Sequence, residues 1–236
     1  RVKYPIATQL PIFLKTERQY LYDSRAYFWI MGVVFGALLF LILYVGVMVI
    51  TFKDMAHLAF GLYLGTSLAT LFAYSGINGY LGFDQAAAWV DVSTGFWQLL
   101  SAAAALLFTG TVLQAPARAP RLAWGMRGLG VFALVVVPLY IWLDRASIGA
   151  SLVFIVLSAT YVFNFIMALI AWRAGDSAGR LIAIFYGLLL LNLLMVVAGR
   201  FEWVAFFWYQ QTPISIVMVV MMPVILAGMN FNMRHQ

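Results

Sequence analysis

The stretch Ile30-Met-Gly-Val-Val-Phe-Gly-Ala-Leu-Leu-Phe-Leu-Ile-Leu-Tyr-Val-Gly-Val-Met-Val-Ile50 contains no charged residue, and a brief polar break, Lys53-Asp54, separates it from a second apolar run. A run of about 20 apolar residues, coiled at about 1.5 Å per residue, matches the hydrocarbon thickness of a bilayer. Hydrocarbon offers backbone amides no partner, so a spanning segment is a helix or part of a closed barrel. A barrel strand would alternate apolar with polar residues, and this run does not. The break at Phe52-Lys53-Asp54 is too short to do more than reverse the chain, which makes the first two spans antiparallel neighbours.

The pattern repeats along the chain. Hydrophobic residues make up 65% of the 236 positions and charged residues 9%, too little polar surface for a soluble core. The apolar runs predict seven spans, at 26–51, 55–75, 89–113, 126–143, 150–172, 181–199 and 212–230. The fold class is therefore all-α: a polytopic membrane protein, a seven-helix transmembrane bundle with its termini on opposite sides. Residues 1–25 read as the end of an outer region and a linker. Val2, Tyr4 and Ile6 alternate like a strand, and Asp23 or Ser24 is placed to cap the first spanning helix. Residues 26–230 form the seven-helix domain, and 231–236 lie beyond its last span on the cytoplasmic side.

Basic residues orient the bundle. With the N-terminus outside, the inner side carries Lys53, Arg118, Arg121, Arg127, Arg173, Arg180 and Arg234, and the outer loops carry Arg145 and Arg200. The basic residues ahead of the first span oppose this bias, but an exported upstream domain translocates largely regardless of its charge. The net charge of +6 is thus explained by orientation in a lipid bilayer, and nucleic acid is not an expected partner.

Several chemistries fail at a required residue. There is no cysteine, so thiol catalysis and thiolate metal sites are absent from these residues. A retinal protein needs a lysine in its last helix, but the lysines are Lys3, Lys15 and Lys53. Intramembrane proteolysis pairs a serine with a histidine inside the bilayer. Ser151 follows Gly149-Ala150, yet the histidines are His57, near a helix end, and His235, in the tail. Two histidines without acidic neighbours make a poor metal site, so neither metal nor cofactor is expected and no catalytic residue is assigned.

Polar residues inside spans are few. Asp91, Thr94, Gln98 and Ser101 recur at helical spacing on one face of the third span, which must then meet protein or water. A second row, Tyr63, Thr66, Ser67, Thr70 and Tyr74, lies on the second span, and Ser158, Tyr161 and Asn164 lie on the fifth. Such rows more often join helices than bind ligands. The outer loops Gly76–Asp84 and Arg200–Tyr209 are aromatic and polar. A cleft of Asn78, Tyr80, Asp91, Gln98, Glu202 and Trp203 is the candidate site for a small extracytoplasmic ligand. Gly32-x-x-x-Gly36 and Gly61-x-x-x-Gly65 permit close helix approach, within the chain or between copies, and Pro138 and Pro223 are expected to kink their spans.

Taken together, the charged aromatic lead-in to span one, Gly36-Ala-Leu-Leu-Phe-Leu-Ile-Leu-Tyr44, the minimal turn Lys53-Asp54, the glycine-rich turn Gly76-Ile-Asn-Gly-Tyr80 and the exit Leu226-Ala-Gly-Met-Asn-Phe-Asn-Met-Arg234 resemble the membrane unit of bacterial seven-transmembrane receptors with diverse intracellular signalling modules. The resemblance implies a multi-pass domain of the bacterial inner membrane. It also implies an upstream jelly-roll sensory domain, a downstream diguanylate cyclase or histidine kinase, and a homodimer. The expected function is transmembrane signal transduction, with these residues themselves not an enzyme. The rivals are a small-solute transporter or channel subunit, which should show an intramembrane charge or internal repeat, and a structural assembly subunit.

Overall fold

The computed structural model describes residues 17–75, 87–142, 146–200 and 220–228, and every regular element among them is helical. In chain order these are α1 (Glu17–Phe52), α2 (Met55–Tyr74), α3 (Ala87–Val112), the single turn α4 (Ala115–Arg118), α5 (Pro120–Trp142), α6 (Ala146–Arg173), α7 (Ser177–Arg200) and α8 (220–228). Six of them are long and apolar enough to cross a membrane. The expected seventh span, 212–230, is described only over the helical residues 220–228.

The spanning helices run alternately up and down, as the paired contacts show. Val45 meets Gly61 and Phe35 meets Phe72 between α1 and α2. Tyr63 meets Phe108 and Ser67 meets Ser101 between α2 and α3. Gly110 faces Met126 and Gly130 faces Leu106 between α3 and α5, and Gly187 approaches Phe165 between α6 and α7. In each pair one partner climbs the sequence as the other descends. Helix α3 is central, touching α2, α5 and α6, whereas α1 lies at the edge against α2.

Alternation brings three reversals to one end of the bundle: Lys53-Asp54, Leu113 to Ala119, and Ala174 to Asp176. Lys53, Arg118, Arg121, Arg173 and Arg180 gather there. Helix α8 reaches the same end, because Gly228 lies against Leu181 near the start of α7.

Some boundaries differ from the sequence expectation. Helix α1 begins at Glu17 and passes through Asp23 and Ser24, which therefore do not cap it. Residues 17–27 contain neither glycine nor proline, so nothing breaks the helix ahead of the apolar run. The fourth span starts at Pro120 rather than 126, since proline is pre-organised for the first helical position. The basic stretch before it is not an open loop: Ala115–Arg118 makes a turn of helix, and the exposed Arg121 and Arg127 lie on α5. Helices α6 and α7 likewise extend a few residues beyond the expected 150–172 and 181–199.

The buried side chains form a large cluster around Leu38, Phe60, Leu64, Phe108, Ile182 and Met222, and a smaller one of Leu99, Ala133, Val136 and Val156 among α3, α5 and α6. Large apolar residues also face outward, with Trp29 and Ile50 each 77% exposed. In a bilayer these meet acyl chains rather than water. A Cβ added at Gly32 or Gly36 would meet nothing within 4 Å, so that glycine pair is not used for packing among the described residues. Gly61, by contrast, admits Val45 Cγ1 to 3.3 Å of such a Cβ and is where α1 and α2 close together.

Candidate functional site

The polar rows on α2 and α3 face each other. Antiparallel packing brings Gln98 opposite Tyr74, and the Gln98 amide Nε2 donates to the Tyr74 hydroxyl at 2.6 Å. One turn further along α3, the Ser101 hydroxyl lies 3.2 Å from that of Ser67, with both side chains buried. Thr66 and Thr70 do not join them, because their hydroxyls donate to carbonyls of their own helix at Leu62 and Thr66.

Deeper in the bundle the polar contacts pass to the other half. Thr109 continues the Gln98 and Ser101 face of α3 and donates to the Tyr186 hydroxyl of α7 at 3.4 Å, a long bond for two hydroxyls. The Tyr186 hydroxyl also lies beside Tyr63 of α2 and Asn164 of α6. The rings of Tyr161 and Tyr186 are 6.3 Å apart, and Tyr63 stacks on Phe108 at 5.9 Å. A column of neutral polar groups therefore runs from Gln98 and Tyr74, away from the three turns, through Ser67 and Ser101 to Tyr63, Tyr186 and Thr109. Its hydrogen bonds link α2 with α3 and α3 with α7, and α6 approaches it through the Tyr161 ring. Tyr186, Ser67 and Thr109 are at most 1% exposed, so each hydrogen bond acts in a medium where a broken one is not replaced by solvent.

The turn end carries charges. Helix α6 closes with Gly175 in the left-handed region (φ +86°), where the Gly175 N–H donates to the Trp172 carbonyl at 2.9 Å and the Asp176 N–H to the Ala171 carbonyl at 3.1 Å. Asp176 then opens α7, its Oδ1 accepting from the Ala178 and Gly179 N–H groups at 2.9 and 3.3 Å. Its other oxygen, Oδ2, receives Nη2 of Arg118 at 2.7 Å. At the neighbouring turn, contrary to the expectation that the histidines lack acidic neighbours, the buried His57 ring pairs through Nδ1 with Asp54 Oδ2 at 3.0 Å, one helical turn away, and stacks on Phe52.

Of the residues proposed for an outer cleft, Gln98 is placed in the column. Asn78, Tyr80, Glu202 and Trp203 lie outside the described residues, as does the side chain of Asp91, whose backbone is in α3. Thr109, Tyr186 and the Arg118–Asp176 pair escaped the sequence reading. The α3 stripe extended two more turns would have reached Thr109, but nothing local in α7 marks Tyr186 as its partner. No group of three metal-ligating side chains occurs among the described residues.

Over residues 27–228 the sequence is similar to the family described as 7TM diverse intracellular signalling. No curated protein and no solved structure matches the chain.

Proposed function

Because the chain belongs to the 7TM diverse intracellular signalling family, we propose that it is the transmembrane unit of a receptor that carries an extracytoplasmic signal to a cytoplasmic output module. Membership and the six apolar helices make it a multi-pass membrane domain with a signalling role. The finer reading is a seven-span unit of the bacterial inner membrane with its N-terminus outside. The basic end of the bundle faces the cytoplasm, which the gathering of Lys53, Arg118, Arg121, Arg173 and Arg180 at the turns supports. Residues 1–25 then belong to the exterior and 231–236 lead into the output, a diguanylate cyclase or a histidine kinase acting as a homodimer.

The observation that carries this reading is the polar column joining α2 and α3 to α7. Signal enters at the end away from the turns, in the cleft of Asn78, Tyr80, Asp91, Glu202 and Trp203. Gln98, bonded to Tyr74, is the uppermost described member of the column. A ligand that prefers one pairing of the column shifts the bundle toward it, and the shift is bounded by the difference in affinity for the two arrangements. Arg118 and Asp176 tie α4 to the start of α7, so displacement of α7 is felt across the turn end.

A transporter would use the same column as a path, but its described members are uncharged. The test is the full-length polypeptide in proteoliposomes. The receptor reading expects nucleotide turnover by the segment after Gln236 and no solute flux. Flux of a solute without such turnover would overturn it.

A further inference from the structure

Hydroxyls on these helices have a common resting place: the carbonyl one turn back. Thr51, Thr66, Thr70, Thr111 and Ser158 all donate there, at 2.7 to 2.9 Å. Thr160 is different. Its Oγ1 is buried and makes no hydrogen bond within the protein, although the Val156 carbonyl is one turn away. Asn164 follows one turn later on the same face of α6, and its Nδ2 and Oδ1 are equally buried and unpaired. It approaches the Tyr186 hydroxyl at a geometry that closes no hydrogen bond. Both side chains are fully buried, at 0% exposure.

Three buried polar atoms left without partners in a bilayer-embedded bundle would each forfeit a hydrogen bond that hydrocarbon cannot replace. Burial against α3 and α7 keeps the pair from turning toward lipid headgroups. The geometry points to a buried hydration site on α6, at which one or two water molecules bridge Thr160, Asn164 and Tyr186. The donor set identifies the occupant. An amide and two hydroxyls offer both donors and acceptors and no charge, which suits water rather than a cation or an anion.

Such a site gives Tyr186 two alternatives, the long bond from Thr109 or a water-bridged link to Asn164. A joint of this kind lets α6 and α7 shift against α3 while every polar group stays satisfied. The inference does not depend on the signalling role.

Hydroxyl radicals generated in situ from bound water by a short X-ray pulse modify side chains touching that water, and mass spectrometry of the full chain in lipid nanodiscs reads the modification. Tyr186 is expected to be labelled in the wild type and to lose the label by about fivefold in the Thr160→Val/Asn164→Leu double variant, while the exposed Tyr74 keeps its labelling. Equal labelling of Tyr186 in both proteins would overturn the site. Should the double variant fail to insert, Thr160→Val alone is read the same way: a fall at Tyr186 supports the site, and an unchanged signal overturns it.

Discussion

Arg118 and Asp176 meet across the turn end at 2.7 Å, while the second oxygen of the same carboxylate caps α7 through the Ala178 and Gly179 N–H groups. One carboxylate thus ends the reversal after α6, starts α7 and holds the preceding reversal in place. Arg118 is 27% exposed and Asp176 9%, so the pair is partly shielded from solvent and is more than a surface ion pair.

The two roles of Asp176 separate by substitution. Asp176→Asn retains a capping oxygen and loses the charge, and should cost about 1 kcal/mol, whereas Asp176→Ala loses cap and pair together and should cost about 2–3 kcal/mol. Thermal unfolding in nanodiscs should place the two variants in that order. Equal midpoints for Asn and Ala would show that the cap contributes nothing.

Glycines should divide by what a Cβ would meet. At Gly179 the new carbon would lie 2.7 Å from Ala171 Cβ and 2.8 Å from the Trp172 backbone nitrogen, and backbone cannot swing aside. Gly179→Ala should therefore destabilise by about 2 kcal/mol or more. Gly36→Ala meets nothing within the chain and should leave monomer stability unchanged or slightly raised. If copies dimerise through α1, Gly36→Ile lowers the dimer fraction without lowering the unfolding midpoint, which light scattering and a melt together resolve.

Tyr140 of α5 occupies space that only glycines on α3 and α6 leave open: a Cβ at Gly95 or at Gly149 would collide with its ring. Gly149→Ala should cost about 1–3 kcal/mol, and Tyr140→Leu should recover part of that loss in a double-mutant cycle. Additive losses would mean that the ring has room to move away.

What the sequence disclosed follows the range of the interaction. The Lys53-Asp54 reversal was legible because two charges interrupt long apolar runs, and α2 follows its expected bounds to within a residue. The rows on α2 and α3 were legible as helical spacing, and they meet as helix-joining hydrogen bonds, the commoner expectation for such rows. The start of the fourth span is less legible: Arg118, Arg121 and Arg127 look like loop, yet Arg121 and Arg127 lie exposed on the first turns of α5, where long basic side chains extend outward. Thr109 and Tyr186, 77 positions apart, come together only through the packing of α3 against its neighbours, and periodicity in one helix carries no word of its partner. The same holds for Arg118 and Asp176, which lie in different reversals.

In the proposed receptor, rearrangement of the polar column, with Tyr186 at its crossing, passes signal to the turn end. Tyr186→Phe removes one hydroxyl and keeps the buried ring, so stability should fall by only about 1 kcal/mol. The most direct measurement is the output activity of the full-length receptor in nanodiscs, wild type against Tyr186→Phe, at matched membrane abundance. Basal output is expected to change by up to about fivefold, the limit that a shift of about 1 kcal/mol sets when the active arrangement is the minor one. Output identical to wild type, with the variant folded and equally abundant, would contradict it.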